Sequence, residues 1–266
     1  MTKNRWMKRK TVLAGLSLTL FLATLSDHMA FQVSAEETAD QVIEIANADD
    51  LLALAENCRY DSYSVGKTVK LTADVDLTDK DFDGIPYFSG TFDGDSHTIS
   101  GVDIDYQGSD FGFFRYVGQN AFVSNLNIDA QINASGSQKN IGGVAGVNSG
   151  TITNCTFSGI LGGDTAVGAI AGWNKQGANI VNCTSDADIT ATNQTGGIAG
   201  KNEGLVDGCT SKSLVNTQEL DTTLDIGGVD LGSLNLTQNV VDRNDMGGIA
   251  GNSNGVISNS VNYGTI

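Results

Sequence analysis

Five segments of this chain lie over one another without gaps: Val123-Ser124-Asn125-Leu126, Ile152-Thr153-Asn154-Cys155, Ile180-Val181-Asn182-Cys183, Val206-Asp207-Gly208-Cys209 and Ile257-Ser258-Asn259-Ser260. Their last residues are 29, 28, 26 and 51 apart, and 51 is close to twice 26, so one coil there is enlarged or degenerate. Ile99-Ser100-Gly101-Val102 fits the same frame 24 residues before Leu126. A second motif precedes the first: Gly142-Gly143-Val144-Ala145-Gly146, Gly168-Ala169-Ile170-Ala171-Gly172, Gly196-Gly197-Ile198-Ala199-Gly200 and Gly247-Gly248-Ile249-Ala250-Gly251. From its alanine to the Cys/Ser position is ten residues in three copies. The copy at Ala171 takes twelve, because Lys175-Gln176-Gly177-Ala178 is two residues longer. A recurring period of this length is the signature of a solenoid, in which turns absorb length differences.

After the shared position, small or apolar residues return at every second place: Leu126, Ile128, Ala130, Ile132; Cys155, Phe157, Gly159, Leu161; Val102, Ile104, Tyr106. Period 2 makes a strand with one buried face. A helix would need 3.6 spacing and would have to survive 33 glycines. With no helical pattern between the strands, βαβ units are excluded. The expectation is an all-β, single-stranded parallel β-helix, wound right-handed as coils of this length usually are. Roughly 200 residues at ~26 per coil give seven or eight coils stacked ~4.8 Å apart. Residues 67–266 make the β-helix, with the enlarged or degenerate coil at about 212–246, where Ile226-Gly227-Gly228-Val229 reads as a decayed repeat. Residues 36–66 form an N-terminal cap, with Asn47 or Asp49 starting a helix over Leu51, Leu52, Leu54 and Ala55.

Residues 1–35 read as an address. Lys3, Arg5, Lys8, Arg9 and Lys10 precede an uncharged, mostly apolar run from Thr11 to Leu25, and Val33-Ser34-Ala35 offers a cleavage site. This is the layout of a secretory signal peptide, and the run is short of the ~20 apolar residues that span a bilayer. Cleavage after about Ala35 predicts a secreted or cell-surface product with no direct membrane insertion. The leader holds five of the 15 basic and one of the 31 acidic residues, leaving 10 against 30, a net of −20. That balance disfavours nucleic acid and anionic lipid as partners. One histidine remains, His97, which is a thin catalytic toolkit.

Stacked repeats account for most of the polar residues. Asn125, Asn154, Asn182 and Asn259 align and are expected to form a ladder of side-chain amides in a tight turn, with Gly101 and Gly208 at the same position. Cys155, Cys183 and Cys209 share the next position and read as free buried thiols, since in-register side chains point the same way and Ser260 replaces one of them. Cys58 lies outside the repeat. Asp74/Asp76 and Asp103/Asp105 share strand faces, but a glycosidase needs two carboxylates set ~5–10 Å apart across a groove. His97 reads as a turn residue entering a strand. Asp79, Asp81 and Asp83 match the first half of a calcium loop, but Gly90 stands where its last ligand, a Glu, belongs. Weak calcium binding there is left open. No catalytic, cofactor-binding or metal-ligating residue is assigned, and no cofactor is expected.

The repeats Gly142 to Cys155, Gly168 to Cys183, Gly196 to Cys209 and Gly247 to Ser260 resemble the GLUG motif of bacterial surface proteins. The stretch Phe88 to Gly101 is similar to an opening coil of the same group. Similar repeats accompany immunoglobulin A peptidases and adhesin-like proteins of Gram-positive bacteria. There the repeat region is a stalk or binding surface; the peptidase His-Glu-x-x-His motif is absent here. The resemblance implies a non-catalytic module for adhesion or surface display, the N-terminal part of a larger protein, with host or cell-wall glycan or protein as partner. A carbohydrate-active β-helix enzyme, a lyase or hydrolase, is the first alternative, and a structural spacer the second.

Overall fold

The computed structural model describes residues 41–105, 108–134, 138–216 and 244–266, all within one compact unit spanning Thr38–Ile266. The chain winds through four parallel walls, in the order wall 1, wall 2, wall 3, wall 4. In one complete coil these are Lys139–Gly142, Ala145–Asn148, Thr151–Thr153 and Thr156–Gly162. The next coil repeats them at Thr165–Gly168, Ala171–Asn174, Asn179–Val181 and Thr184–Thr190, paired in register. Period-2 burial holds on wall 4: Leu126, Ile128, Ala130 and Ile132 are buried, with Asp129 and Gln131 outside.

The coil count is smaller than the length suggested. Wall 2 has six strands, from Ile85–Phe88 to Ala250–Ser253, among the described residues. Wall 3 has eight, because Gln41–Ile45 and Lys67–Leu71 extend it beyond the first complete coil. Those early residues go into walls 3 and 4, the latter at Val75–Asp76, and into a helix and turns rather than into further full coils.

The expected helix spans Ala48–Asn57 and is capped by Asn47, whose side chain accepts from the Asp50 amide at 3.1 Å. Its Leu51 and Leu54 are buried in the same core as Phe88, Phe92, Phe113 and Phe114. Those rings meet at centroid distances of 4.9–6.4 Å, mostly edge to face, so the core of the first coils is aromatic.

The break after Lys212 is resolved by pairing. Asn193–Gly196 pairs directly with Asn244–Gly247, Ala199–Asn202 with Ala250–Ser253, and Leu205–Asp207 with Val256–Ser258. No coil intervenes, so the insertion is an enlarged connection between walls 4 and 1. Ile226 to Val229 and the acidic Glu219, Asp221, Asp225, Asp230 and Asp242 lie outside the described residues. In the last described coil Ile257 is 42% exposed, although its register partners Ile152, Ile180 and Val206 are fully buried.

Candidate functional site

The polar residues singled out in the sequence mostly hold turns. Asn125, Asn154, Asn182 and Asn259 sit at φ between 48° and 54°, with Gly101 and Gly208 at 68° and 64°. This is the left-handed conformation that Asn and Gly tolerate best. The expected amide ladder is not continuous there: Asn154 donates to Asn125 across 3.4 Å, while Asn125 turns to Asp93 and Asn259 to Asp207. A continuous ladder does exist one corner earlier. Asn148 donates to Asn174 at 2.9 Å, Asn174 to Asn202 at 2.8 Å and Asn202 to Ser253 at 3.1 Å, and the three asparagines are fully buried. Each lies three residues after the alanine of the glycine motif. That fixed offset was the signal available in sequence.

The four cysteines are free and buried. Cys155, Cys183 and Cys209 each donate to the carbonyl two residues back, at 3.3–3.4 Å, and Ser260 does the same at 2.8 Å. Burial pushes the Cys58 thiol up to about 11. Burial also raises Cys183, and the hydrogen bond with Cys183 followed by burial raises Cys209.

Of the two carboxylate pairs that share strand faces, Asp74 and Asp76 are engaged locally. The Thr98 amide, then His97 Nδ1 at 3.0 Å, hold Asp74 below the usual carboxylate range. The Thr78 hydroxyl and amide do the same for Asp76. Asp103 lies on the outer face of wall 4 in a shallow acidic depression with Asp79 and Asp129, and Asp105 follows it on the same strand. Asp81 and Asp83 border a depression shared with Arg59 and Arg115. Among the described residues no group of three or more His, Cys, Asp or Glu could hold a metal ion.

The site that sequence reasoning missed runs along the corner between walls 2 and 3. Corner length alternates there. Residues 118–121 and 175–178 make long corners, and residues 89–90 and 149–150 make short ones. Long corners stand out and short ones recede, leaving two depressions that share Tyr87 and Gln119. The first, of about 530 Å³, is bordered by Lys67, Thr68, Ser89, Thr91 and Asn120. The second, of about 400 Å³, is bordered by Tyr116, Ser149, Lys175 and Gln176. From Thr68 to Asn179 is four ladder steps, about 19 Å along the axis at ~4.8 Å a step.

The chemistry of this corner differs from the rest of the surface. Neither depression has an Asp or Glu in its lining, in a chain of net charge −16. Lys67 lies 3.4 Å over the Tyr63 ring, and Lys175 lies 4.8 Å over Trp173. Trp173 belongs to an outward column on wall 2, in register with Tyr87, Tyr116 and Val147. Its indole donates to Glu203 at 3.1 Å, and Glu203 pairs with Lys201 at 2.8 Å. The Tyr116 hydroxyl donates to Asp110, and burial together with that bond pushes the phenol up to about 12. Tyr116 is thus held by its hydroxyl and Trp173 by its indole N–H, and Tyr87 and Tyr116 border the groove beside its amides and hydroxyls.

Among the described residues no helix is long and apolar enough to cross a membrane. Residues 137–161 and 163–190 match the family model of the GLUG motif. Halomucin of Haloquadratum walsbyi (strain DSM 16790 / HBSQ001) is 36% identical over 100 residues, which are 37% of this chain and 1% of Halomucin. The chain thus corresponds to a very small part of that relative. No solved structure matches the chain. The matched stretches coincide with two consecutive complete coils, so each GLUG motif here is one turn of a parallel β-solenoid.

Proposed function

We propose that this chain is a non-catalytic module of the cell surface or extracellular space, exported by its N-terminal leader and serving in adhesion or surface display within a larger protein. The observation that carries this reading is the division of labour among its polar side chains. Asp74, Asp76, His97 and the cysteines are spent on turns and on the core. The polar side chains of the corner groove are amides, hydroxyls, tyrosines and lysines, which offer a ligand hydrogen bonds and positive charge but not the facing carboxylates of a glycosidase. Export and adhesion rest on the leader and on the kinship of the repeats.

The test labels intact cells of the source organism with an antibody to the solenoid and incubates the purified chain with linear polysaccharides. The reading expects surface labelling removable by external protease, and no release of reducing ends or unsaturated products. Labelling only after lysis contradicts the surface assignment. Product release abolished by Asp→Asn changes would establish the enzyme instead.

A further inference from the structure

We infer that the corner groove between walls 2 and 3 binds a linear, carboxylate-bearing glycan laid along the solenoid axis; the inference rests on the surface-module reading and names its ligand. Three features converge on it.

The first is shape. The two depressions follow one another along the axis on either side of corner 118–121, share Tyr87 and Gln119, and together span five coil levels. A channel with an axial repeat suits an extended polymer, and the ~4.8 Å rise of the coils is comparable with one sugar unit of an extended chain. The second is functional-group chemistry. Gln119, Asn120 and Gln176 offer both donors and acceptors, as sugar hydroxyls require, while Tyr87 and Tyr116 supply apolar ring surface for the C–H faces of pyranoses. The third is charge. Carboxylates occupy the outer face of wall 4, at Asp103, Asp129, Asp186 and Asp188, yet none lines the groove, where Lys67 and Lys175 border the two ends on coils four ladder steps apart. A polyanion is repelled by the rest of the molecule and admitted here.

The sequence carries the same message once the coil is known. The two extra residues in the repeat at Ala171 build the corner that holds Lys175 and Gln176. An insertion in a turn has become one wall of the channel.

Affinity electrophoresis of the full chain in gels containing polygalacturonate, alginate or hyaluronan tests the inference, with dextran and poly-glutamate as neutral and peptide controls. Retardation is expected in at least one uronate gel and in neither control, and it should disappear in concentrated salt. The Lys67→Gln/Lys175→Gln pair and Tyr87→Ala should each weaken it at least tenfold, while Lys139→Gln on wall 1 leaves it unchanged. Thermal unfolding of each variant separates lost binding from lost fold. If Tyr87→Ala does not fold, the lysine pair, which lies outside the core, decides.

Absence of retardation in all three uronate gels, equal retardation by dextran or poly-glutamate, or indifference to the lysine pair overturns the inference. Cells that label at the surface while the chain ignores every uronate sink this inference alone. Retardation by a chain that never reaches the surface sinks only the reading on which it rests.

Discussion

At the scale of single residues, this fold turns its corners by placing side chains in unusual backbone conformations. Asn154 at φ 53° is one of a column of such residues, and the left-handed region costs an ordinary L-residue about 1–2 kcal/mol. Asn154→Ala should therefore lower stability by about that amount in urea titrations, whereas Asn154→Gly should leave it nearly unchanged. Reading Asn as a turn former was possible from sequence. Two columns of asparagines were visible in sequence, the second at a fixed offset from the motif alanine, but which of them stacks as an amide ladder depends on the side of the corner the side chain enters, and Asn148, Asn174 and Asn202 enter the interior. A second left-handed column at Asp110, Asn140, Ala166, Gln194 and Asp245 was hidden because its residue types vary.

Two solution measurements report on the same scale. The four thiols are buried and shielded from reagents, and Cys58, raised to about 11, and Cys183 and Cys209, raised as well, carry little thiolate at pH 8. A thiol reagent at that pH should modify none of them until denaturant is added; prompt labelling of the native chain would place them wrongly. The carboxylates respond in the opposite sense. Asp74, Asp76 and Asp207 are held low by hydrogen bonds from Thr98, Thr78 and Ser258, and Glu203 by the bond from Lys201. A folded pKa below the unfolded one stabilises above the ordinary carboxylate range and loses that contribution as pH falls through the depressed values. Stability should hold above about pH 5 and decline below about pH 4, as thermal unfolding across that range would reveal.

At the scale of elements, the glycine motif acquires a reason that repetition alone did not supply. Walls 1 and 2 press together at backbone contact. A methyl on Gly172 would lie 2.3 Å from the Asn140 carbonyl carbon, and one on Gly200 2.3 Å from that of Ala166. Backbone cannot move aside as a side chain can. Gly172→Ala should destabilise by about 1–3 kcal/mol or more, while Gly162→Ala, facing only the Asn133 side chain at 3.1 Å, should cost clearly less in the same assay. The strands of walls 3 and 4 were readable because they alternate. Those of wall 1, such as Lys139–Gly142, do not alternate, since the glycine packing replaces side-chain burial there. The corner groove was hidden for a related reason: it depends on corner lengths in non-adjacent repeats that only the winding brings side by side.

At the scale of the whole described unit, one device produces both stability and surface. In-register stacking buries a continuous core from Ile45 to Val215 and sorts the outward positions into walls of different chemistry, acidic on wall 4 and aromatic with lysine at the corner of walls 2 and 3. The fold class was readable from the period. The number of coils was not, because the first residues join wall 3 and a capping helix instead of closing full turns, and because the 51-residue interval hides an insertion within a single coil. The groove exists only through that stacking. Spin labels on Thr68, Thr151 and Val256, which belong to one wall-3 ladder, test it most directly. Thr68 and Thr151 are three steps apart, and Thr68 and Val256 six, so backbone separations of about 14 Å and about 29 Å are expected at ~4.8 Å a step. Pulsed and continuous-wave electron resonance distances growing in that two-to-one proportion uphold the parallel solenoid; a Thr68–Val256 distance no longer than the Thr68–Thr151 distance contradicts it.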